Sequence, residues 1–244
     1  MTEFKNQYVS FVLPAYNEGH LIENTLTKLN LNFEKNDLPY EIVVVDDGSL
    51  DNTRSKAICY SLCNKEVKVF GYNKNSGKGF AIKTGFRKAK GDAVIFFDSD
   101  SDINPNQVRR FIDTLKYGDI VIGSKWHPDS VVKIPFVRRL LSHGFNFLTR
   151  LLTGIAVSDT QTGIKALRRE AFLDVFNRLC VKRYAFDVEL LVLAKIYGLK
   201  VIEVPVDLSI RESFSLKNIW RMFIDLLGIT YRFRIKKWYQ RGIA

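Results

Sequence analysis

Three carboxylates, Asp98, Asp100 and Asp102, stand at alternate positions directly after the apolar run Ala93–Phe97. An uninterrupted apolar run predicts a strand buried on both faces, as in a parallel sheet. Ligands of open α/β sheets bind at the carboxyl ends of such strands. Three negative charges at one strand end repel one another unless a counter-charge is present. A hard divalent cation, Mg²⁺ or Mn²⁺, held by one or two carboxylates and completed by substrate phosphates, removes that cost. The triplet therefore predicts a metal–diphosphate site at Asp98, Asp100 and Asp102.

Other readings of the triplet are a calcium loop, an aspartyl nucleophile and a solvated turn capping the helix expected near Pro105. A calcium loop starting at Asp98 needs Gly at its sixth position and Glu at its twelfth. Ile103 and Arg109 stand there, which excludes it. Nothing near the triplet suggests a phosphoenzyme. Asn73–Gly79 (NKNSGKG) invites a phosphate-loop reading, but that motif needs Gly six residues before its Lys and Ser or Thr after it. Tyr72 and Gly79 occupy those positions, leaving a turn that carries one cation, Lys78. The first strand is followed by PAYNEG rather than G-x-G-x-x-G, so no dinucleotide cofactor is expected.

The elements that must position these groups follow a simple alternation. Tyr8–Leu13 is expected as a first strand ended by Pro14, followed by a helix over Glu18–Phe33. Tyr40–Asp46 is a second buried strand, ending in the acidic turn Asp46-Asp47-Gly48-Ser49. Asp51 is the expected N-cap of a helix running to about Cys63. A shorter strand, Glu66–Gly71, precedes the glycine-bearing turn and a helix over Phe80–Ala89. Strand and helix alternating at these spacings predict a mostly parallel sheet covered on both faces.

With 244 residues, 46% hydrophobic and 26% charged, the composition is that of one sizeable globular domain. The longest apolar stretches, Leu140–Thr149 and Leu151–Ser158, fall far short of the roughly 18–20 residues of a membrane-spanning helix. The N-terminus shows no signal-peptide pattern. Cys59, Cys63 and Cys180 lack zinc spacing and read as reduced structural thiols in a cytoplasmic setting. The net charge of +11 is uneven. After Ser215, Lys217, Arg221, Arg232, Arg234, Lys236, Lys237 and Arg241 face only Asp225, an excess of six. Such a tail suits an anionic membrane surface or nucleic acid. Nucleic acid leaves the strand-end motifs unexplained, so no nucleic-acid partner is expected. Leu216, Ile219, Trp220, Phe223 and Leu227 give the tail an apolar face, the composition of a helix lying in a membrane interface.

LPAYNE, VVDDGS, NSGKG and FDSDSD, in this order at strand ends, resemble the large inverting glycosyltransferase family 2. The resemblance implies an α/β GT-A fold: one Rossmann-like domain with a mostly parallel sheet flanked by helices, here with a C-terminal amphipathic interfacial helix. The expected division is a transferase domain over residues 1–214, its nucleotide-sugar half about 1–105 and its acceptor half about 106–214, with a membrane-interface tail at 215–244. Further along come the strand Asp119–Ser124, followed by Lys125, and the helix through Phe136–Leu152. Its stripe holds Val137, Leu140, Leu141, Gly144, Leu148, Leu151 and Leu152, with Arg138, Arg139, Ser142 and Arg150 off it. SDTQTGIK (158–165) and YAFDVELL (184–191) then resemble the polyprenyl- and dolichyl-phosphate hexose synthases, especially their glucosyl arm. Two positions depart from related patterns. Asp102 stands where the mannosyl arm commonly has Gln. Lys125 stands where Arg commonly follows Gly-Ser, and Lys cannot form a bidentate fork to phosphate.

The resemblance implies a nucleotide-sugar donor (UDP-glucose or GDP-mannose), a polyprenyl or dolichyl phosphate acceptor, and inversion at the transferred hexose. Pro14, Tyr16 and Glu18 then line the nucleoside pocket, and Asp46 or Asp47 contacts ribose or base. Lys78 joins the metal at the diphosphate, and Asp159 and Gln161 lie near the sugar or diphosphate. Arg138 matches an acceptor-phosphate arginine, with Ser142 one turn later, Lys125 nearby and Arg211 a further candidate. A phosphate acceptor is already a dianion near neutral pH, its second pKa being about 6, so it needs cations rather than a base. A sugar-hydroxyl acceptor, the alternative within the family, needs a general base. Asp187 and Glu189 are the candidates for that role. The implied setting is peripheral, on the cytoplasmic face of a membrane, with room for a membrane partner protein.

Overall fold

A computed structural model of the chain describes residues 8–34, 38–98, 104–209 and 216–241. Asp100, Asp102 and Arg211, expected at the site from sequence, lie outside the described residues. The organising feature is a seven-stranded sheet of β1 (Val9–Ala15), β2 (Tyr40–Asp46), β3 (Val67–Gly71), β4 (Ala93–Phe96), β5 (Ile120–Ser124), β7 (Lys165–Arg168) and β8 (Val201–Pro205). Its order is β3-β2-β1-β4-β7-β5-β8. β7 runs antiparallel to β4 and β5, and the other pairings are parallel. Two short strands, β6 (Val131–Lys133) and β9 (Asp207–Ser209), pair apart from it.

The continuous apolar runs are explained by burial on both sides. Successive strand residues point to opposite faces. Phe11, Leu13, Ile42, Val44, Ala93 and Ile95 enter one core, and Val12, Val43, Val45, Val94 and Phe96 enter the other. α1 (Ile22–Glu34), α2 (Thr53–Cys63) and α4 (Val108–Thr114) cover the first face. α3 (Lys78–Lys88), α6 (Arg169–Arg178), α7 (Phe186–Ile196) and α8 (Leu216–Thr230) cover the second.

β1 runs on through Pro14 to Ala15 rather than ending at Pro14. Its ladder to β4 ends at Val12, while its ladder to β2 continues, with Pro14 opposite Val45. The missing proline N–H therefore falls where one neighbour has already stopped. The three cysteines, expected as reduced structural thiols, are free and lie exposed on the surface.

α5 (Phe136–Thr153) is built inside out. Asn146, Thr149 and Thr153 are its buried residues, whereas Phe136, Val137, Leu140, Leu141, Phe147 and Leu151 are exposed, Phe136 by 78% and Leu140 by 63%. α8 buries Met222, Leu226 and Ile229 in the domain core and leaves Trp220, Ile224 and Leu227 exposed. The inward face is thus one edge of a broad apolar surface, and Trp220 lies on the other. Tyr231–Ile235 forms a π turn, and beyond it Tyr239 is wholly buried. Among the described residues no helix is long and apolar enough to cross a membrane.

Candidate active site

The parallel strands β1, β2, β3 and β4 deliver their carboxyl ends to one edge of the sheet. After β1, Asn17 adopts a left-handed backbone (φ 56°), which Asn tolerates better than most residues. It is fixed from both sides: its N–H donates to Ser49 Oγ (3.0 Å) and its Oδ1 accepts from Leu50 N (2.8 Å). Glu18 N donates to Thr53 Oγ1 at 2.8 Å, and Gly19 N to Asp51 Oδ2 at 2.9 Å. The PAYNEG turn is thereby stitched to the DDGSLDNT turn. Tyr16, between them, keeps its ring 40% exposed beside buried Pro14 and half-buried Glu18.

Asp46 and Asp47 are both buried, but they are employed differently. Asp47 accepts from Tyr72 Oη (2.7 Å), Asn75 Nδ2 (3.1 Å), Ser76 N (2.8 Å) and Gly77 N (2.9 Å), so its oxygens shape the 72–77 turn. Burial, and then the neighbouring Asp47, push the Tyr72 hydroxyl pKa well up, which keeps it a donor. Among the described residues, the Asp46 carboxylate accepts one long bond, from Ser49 N (3.3 Å).

The turn delivers Lys78. Gly77 adopts φ 101°, and a Cβ there would meet Lys182 O at 2.4 Å, so only glycine fits. Lys78 opens α3, and its Nζ lies 2.6 Å from Asp98 Oδ1. A lysine and the positive end of a helix dipole thus converge on the start of the acidic triplet, an arrangement suited to phosphate oxygens. Asp98 also touches the 158–165 segment: a Cβ on Gly163 would come 2.1 Å from Asp98 Oδ2.

That segment is a knot of buried polar groups. Asp159 accepts from Lys125 N (3.0 Å), Gln161 N (3.1 Å) and Thr162 Oγ1, and pairs with Lys125 Nζ at 2.7 Å. Burial works to raise the Asp159 pKa, but the Lys125 charge and these bonds outweigh it and hold the carboxyl below its usual range. The charge of Lys125 is therefore matched within the protein before any acceptor arrives. Gln161 turns its amide toward Met222 Sδ of α8, 4.0 Å away. Lys165, buried on β7, donates to Thr162 O (2.7 Å) and pairs with Asp187 Oδ1 of α7 (2.8 Å). Glu189 lies roughly 200° around α7 from Asp187. It is fully buried and bonded to the Cys180 and Val181 amides and to Tyr239.

On α5, Arg138, Ser142, Asn146, Thr149 and Thr153 recur at intervals of three or four, so they form one row. Asn146 Oδ1 accepts from Thr160 Oγ1 (2.9 Å) and N (3.3 Å), tying the row to the DTQTG segment. Arg138 and Ser142 are half-buried at its other end, whereas Arg139 is exposed and its guanidinium sits 6.0 Å from the Trp126 ring. Sequence reasoning placed both Arg138 and Arg139 off the apolar stripe and gave a role to Arg138 alone; on the helix Arg138 is half-buried and Arg139 exposed. It also missed Tyr72, Asn75 and Ser76 as anchors of the 72–77 turn, and it gave no role to Lys165 or Asn146. The signal for Lys165 was a lone cation before the apolar pair Ala166-Leu167, which demands a buried partner.

The acidic triplet offers only hard oxygen donors, which fit Mg²⁺ or Mn²⁺. Among the described residues, which include Asp98 alone of the three, no group of three or more His, Cys, Asp or Glu is placed to hold a metal.

Strand-end carboxylates, a helix N-terminus with a lysine, and an antiparallel strand inserted into a parallel sheet fit an α/β fold of the GT-A class. Residues 10–176 match the family model described as glycosyl transferase family 2. The chain belongs to that family and is a glycosyltransferase. It is 32% identical over 249 residues to a dolichyl-phosphate beta-glucosyltransferase of Homo sapiens, covering 94% of this chain and 77% of the relative. A dolichyl-phosphate beta-glucosyltransferase of Trichomonas vaginalis is 31% identical over 246 residues, covering 95% and 73%. Among solved structures, mannosyl-3-phosphoglycerate synthase from Rubrobacter xylanophilus aligns with a TM-score of 0.74 at 19% identity, covering 98% of this chain and 77% of that one. Glucosyl-3-phosphoglycerate synthase from Mycobacterium tuberculosis, in complex with Mn²⁺, UDP and glucosyl-3-phosphoglycerate, gives a TM-score of 0.71 at 22% identity, covering 92% and 79%. At these identities the structures attest the fold.

Proposed function

We propose that the protein transfers glucose from UDP-glucose to dolichyl phosphate or a related polyprenyl phosphate, with inversion, releasing UDP. An acceptor phosphate oxygen attacks the anomeric carbon as the bond from that carbon to the diphosphate breaks. The observation that carries this reading is α5. It carries half-buried Arg138 and Ser142 on the row whose Asn146 bonds Thr160 of the DTQTG segment, and leaves six large apolar side chains exposed. One helix thereby presents a cation for a phosphate beside a surface suited to a lipid chain. The similarity to dolichyl-phosphate beta-glucosyltransferases supports the choice of glucose over mannose.

Tyr16, Glu18 and Asp46 are assigned to the nucleoside, and Asp47 to shaping the turn that carries Lys78. Lys78 meets the diphosphate. A divalent ion held by Asp98, Asp100 and Asp102 would supply further positive charge to the leaving group. Asp159, with Lys125, fixes the segment that faces the sugar. Arg138 and Arg211 neutralise the acceptor phosphate, and Ser142 donates a hydrogen bond to it. Because that phosphate is a dianion near pH 7, Asp187 is not required as a base and serves as the partner of buried Lys165.

The protein works peripherally on the cytoplasmic face of a membrane, with residues 1–214 as transferase domain and 215–244 as the attached tail. α5 and α8 meet the lipid. Two tail cations are already engaged: Arg232 donates to Tyr239 Oη (2.8 Å) and Arg234 to Leu152 O (2.6 Å). Apolar insertion therefore outweighs the charge excess in attachment. Fully burying one Leu or Phe contributes about 1.5–3 kcal/mol, against about 1 kcal/mol per cation near an anionic surface.

Arg138→Ala tests the acceptor assignment. It should raise KM for a short polyprenyl phosphate while UDP affinity stays at the wild-type value. An unchanged acceptor KM, with activity lost instead in Asp187→Asn and a base titrating in the rate profile, would move the enzyme to the sugar-hydroxyl class.

A further inference from the structure

The Glu189 carboxylate holds two parts of the chain at once. Its Oε2 accepts the backbone N–H groups of Cys180 (2.9 Å) and Val181 (2.7 Å). Its Oε1 accepts the hydroxyl of Tyr239 from the far end of the tail, and Arg232 Nη2 lies 3.6 Å from that same oxygen. Glu189 and Tyr239 are both fully buried. Arg178 Nη1 pins the tail backbone further, donating to Tyr239 O (3.3 Å) and Arg241 O (2.7 Å).

The opposite side of residues 179–183 presses on the turn that opens α3. Phe80 N donates to Lys182 O (3.1 Å) and Lys83 Nζ to Leu179 O (2.7 Å). A Cβ on Gly77 would meet Lys182 O at 2.4 Å, and one on Gly79 would meet Val181 O at 2.8 Å. The 180–182 backbone is therefore gripped between Glu189 and the residues that flank Lys78. The tail also reaches α5, through Arg234 on Leu152 O.

We infer that Glu189, Tyr239 and Arg232 form a positioning latch, through which the C-terminal tail sets the turn that presents Lys78 to the donor diphosphate. None of the three touches substrate. The inference rests on the reading of Lys78 as a donor contact and is independent of the acceptor's identity. Burial drives the Glu189 carboxyl toward its neutral form, and the Tyr239 hydroxyl is foremost among the groups that counter this. Losing that hydroxyl weakens the carboxylate as an acceptor for the Cys180 and Val181 amides, and the turn beyond them loosens.

Tyr239→Phe in the full chain removes the hydroxyl alone. UDP affinity is measured by calorimetry, and KM separately for UDP-glucose and a short polyprenyl phosphate. UDP Kd and donor KM should rise about 5- to 10-fold, the size of one lost hydrogen bond, with acceptor KM unchanged. Glu189→Gln keeps an oxygen for the two amides and should shift the same two quantities in the same direction by less. Phe33→Leu, on the buried face of α1 in the opposite core, supplies a destabilised control and should leave donor KM unchanged. Wild-type UDP affinity in either latch variant overturns the latch. So does an equal rise in donor and acceptor KM that Phe33→Leu reproduces. Should Tyr239→Phe fail to fold, Glu189→Gln decides alone. Lys78→Met separates the two readings: unchanged UDP binding there defeats the donor assignment itself, whereas an effect there with none in the latch variants defeats only the latch.

Discussion

Asp47→Asn is the sharpest test of how the donor side is built. The carboxylate accepts four bonds, from Tyr72 Oη, Asn75 Nδ2, Ser76 N and Gly77 N, between 2.7 and 3.1 Å. An asparagine keeps one acceptor oxygen. If that oxygen stays on Ser76 N and Tyr72 Oη, the new amide group faces Asn75 Nδ2 and Gly77 N, both donors. The Asn75 bond is lost, and the Gly77 N–H keeps only its longer bond to the retained oxygen (3.1 Å). The bonds that remain are no longer charge-assisted, a charge-assisted bond contributing about 1.5–3 kcal/mol. Part of that loss is recovered by relaxation into solvent, because Asn75 is exposed. A local destabilisation of about 3 kcal/mol corresponds to roughly a hundredfold greater opening of residues 72–78. Hydrogen exchange of the Ser76 and Gly77 amides reads this directly, and UDP affinity reads its consequence. The expected result is rapid exchange confined to this turn, with UDP Kd raised ten- to a hundredfold, on the order of 1.4–2.8 kcal/mol. Native protection of these amides together with native UDP affinity would refute the assignment of Asp47 to the turn.

Four further outcomes are expected. Lys78→Met should weaken UDP binding by about 1.5–3 kcal/mol, the value of a hydrogen bond to a charged group, measured by calorimetry. Leu140→Glu with Phe147→Glu should release the protein from anionic vesicles in a sedimentation assay while leaving UDP affinity intact, because both side chains point outward. Asp159→Asn should cost about 3–5 kcal/mol at pH 7 by leaving Lys125 unpaired in a buried site. It should also flatten the acid limb of the stability curve. The wild-type carboxyl titrates below its ordinary 3.8 in the folded state, so its contribution is present above that pH and lost as pH falls through the lower folded value. Denaturant titrations from pH 2 to 7 check both statements. Asp100→Ala, or EDTA on the wild type, should abolish transfer without unfolding the protein, and full activity in EDTA would remove the metal from the account.

The central strands were legible because burial on both faces leaves continuous apolar runs, and β2 was read at its observed bounds. β7 was not, since it has four residues, begins with a lysine and shows no alternation. Its place between β4 and β5 is set by pairing that local sequence does not encode. The acidic turn after β2 was legible as a site, but the division of labour between Asp46 and Asp47 was not. That depends on where a turn 25–30 residues later folds back. The stripe on α5 was readable from its period, and resemblance singled out Arg138; that Asn146 on its row meets Thr160 while Arg139 is exposed was not legible from the residues. The tail shows the same limit. Its apolar residues fill a face too broad for one partner, and sequence could not say that Met222, Leu226 and Ile229 go inward while Trp220 stays out. Deleting the tail would therefore expose core and unpair Glu189, and it is a poor test of membrane attachment.

The central claim is that this fold joins a nucleotide-activated glucose to a lipid phosphate. The direct measurement is incubation of the full chain with a panel of nucleotide sugars, a short polyprenyl phosphate and Mg²⁺ or Mn²⁺, with the glycolipid product identified by mass spectrometry. The expected product is a monoglucosylated polyprenyl phosphate formed from UDP-glucose, with UDP released in equal amount. Transfer only to a free sugar hydroxyl, with the polyprenyl phosphate recovered unchanged across the panel, would contradict it.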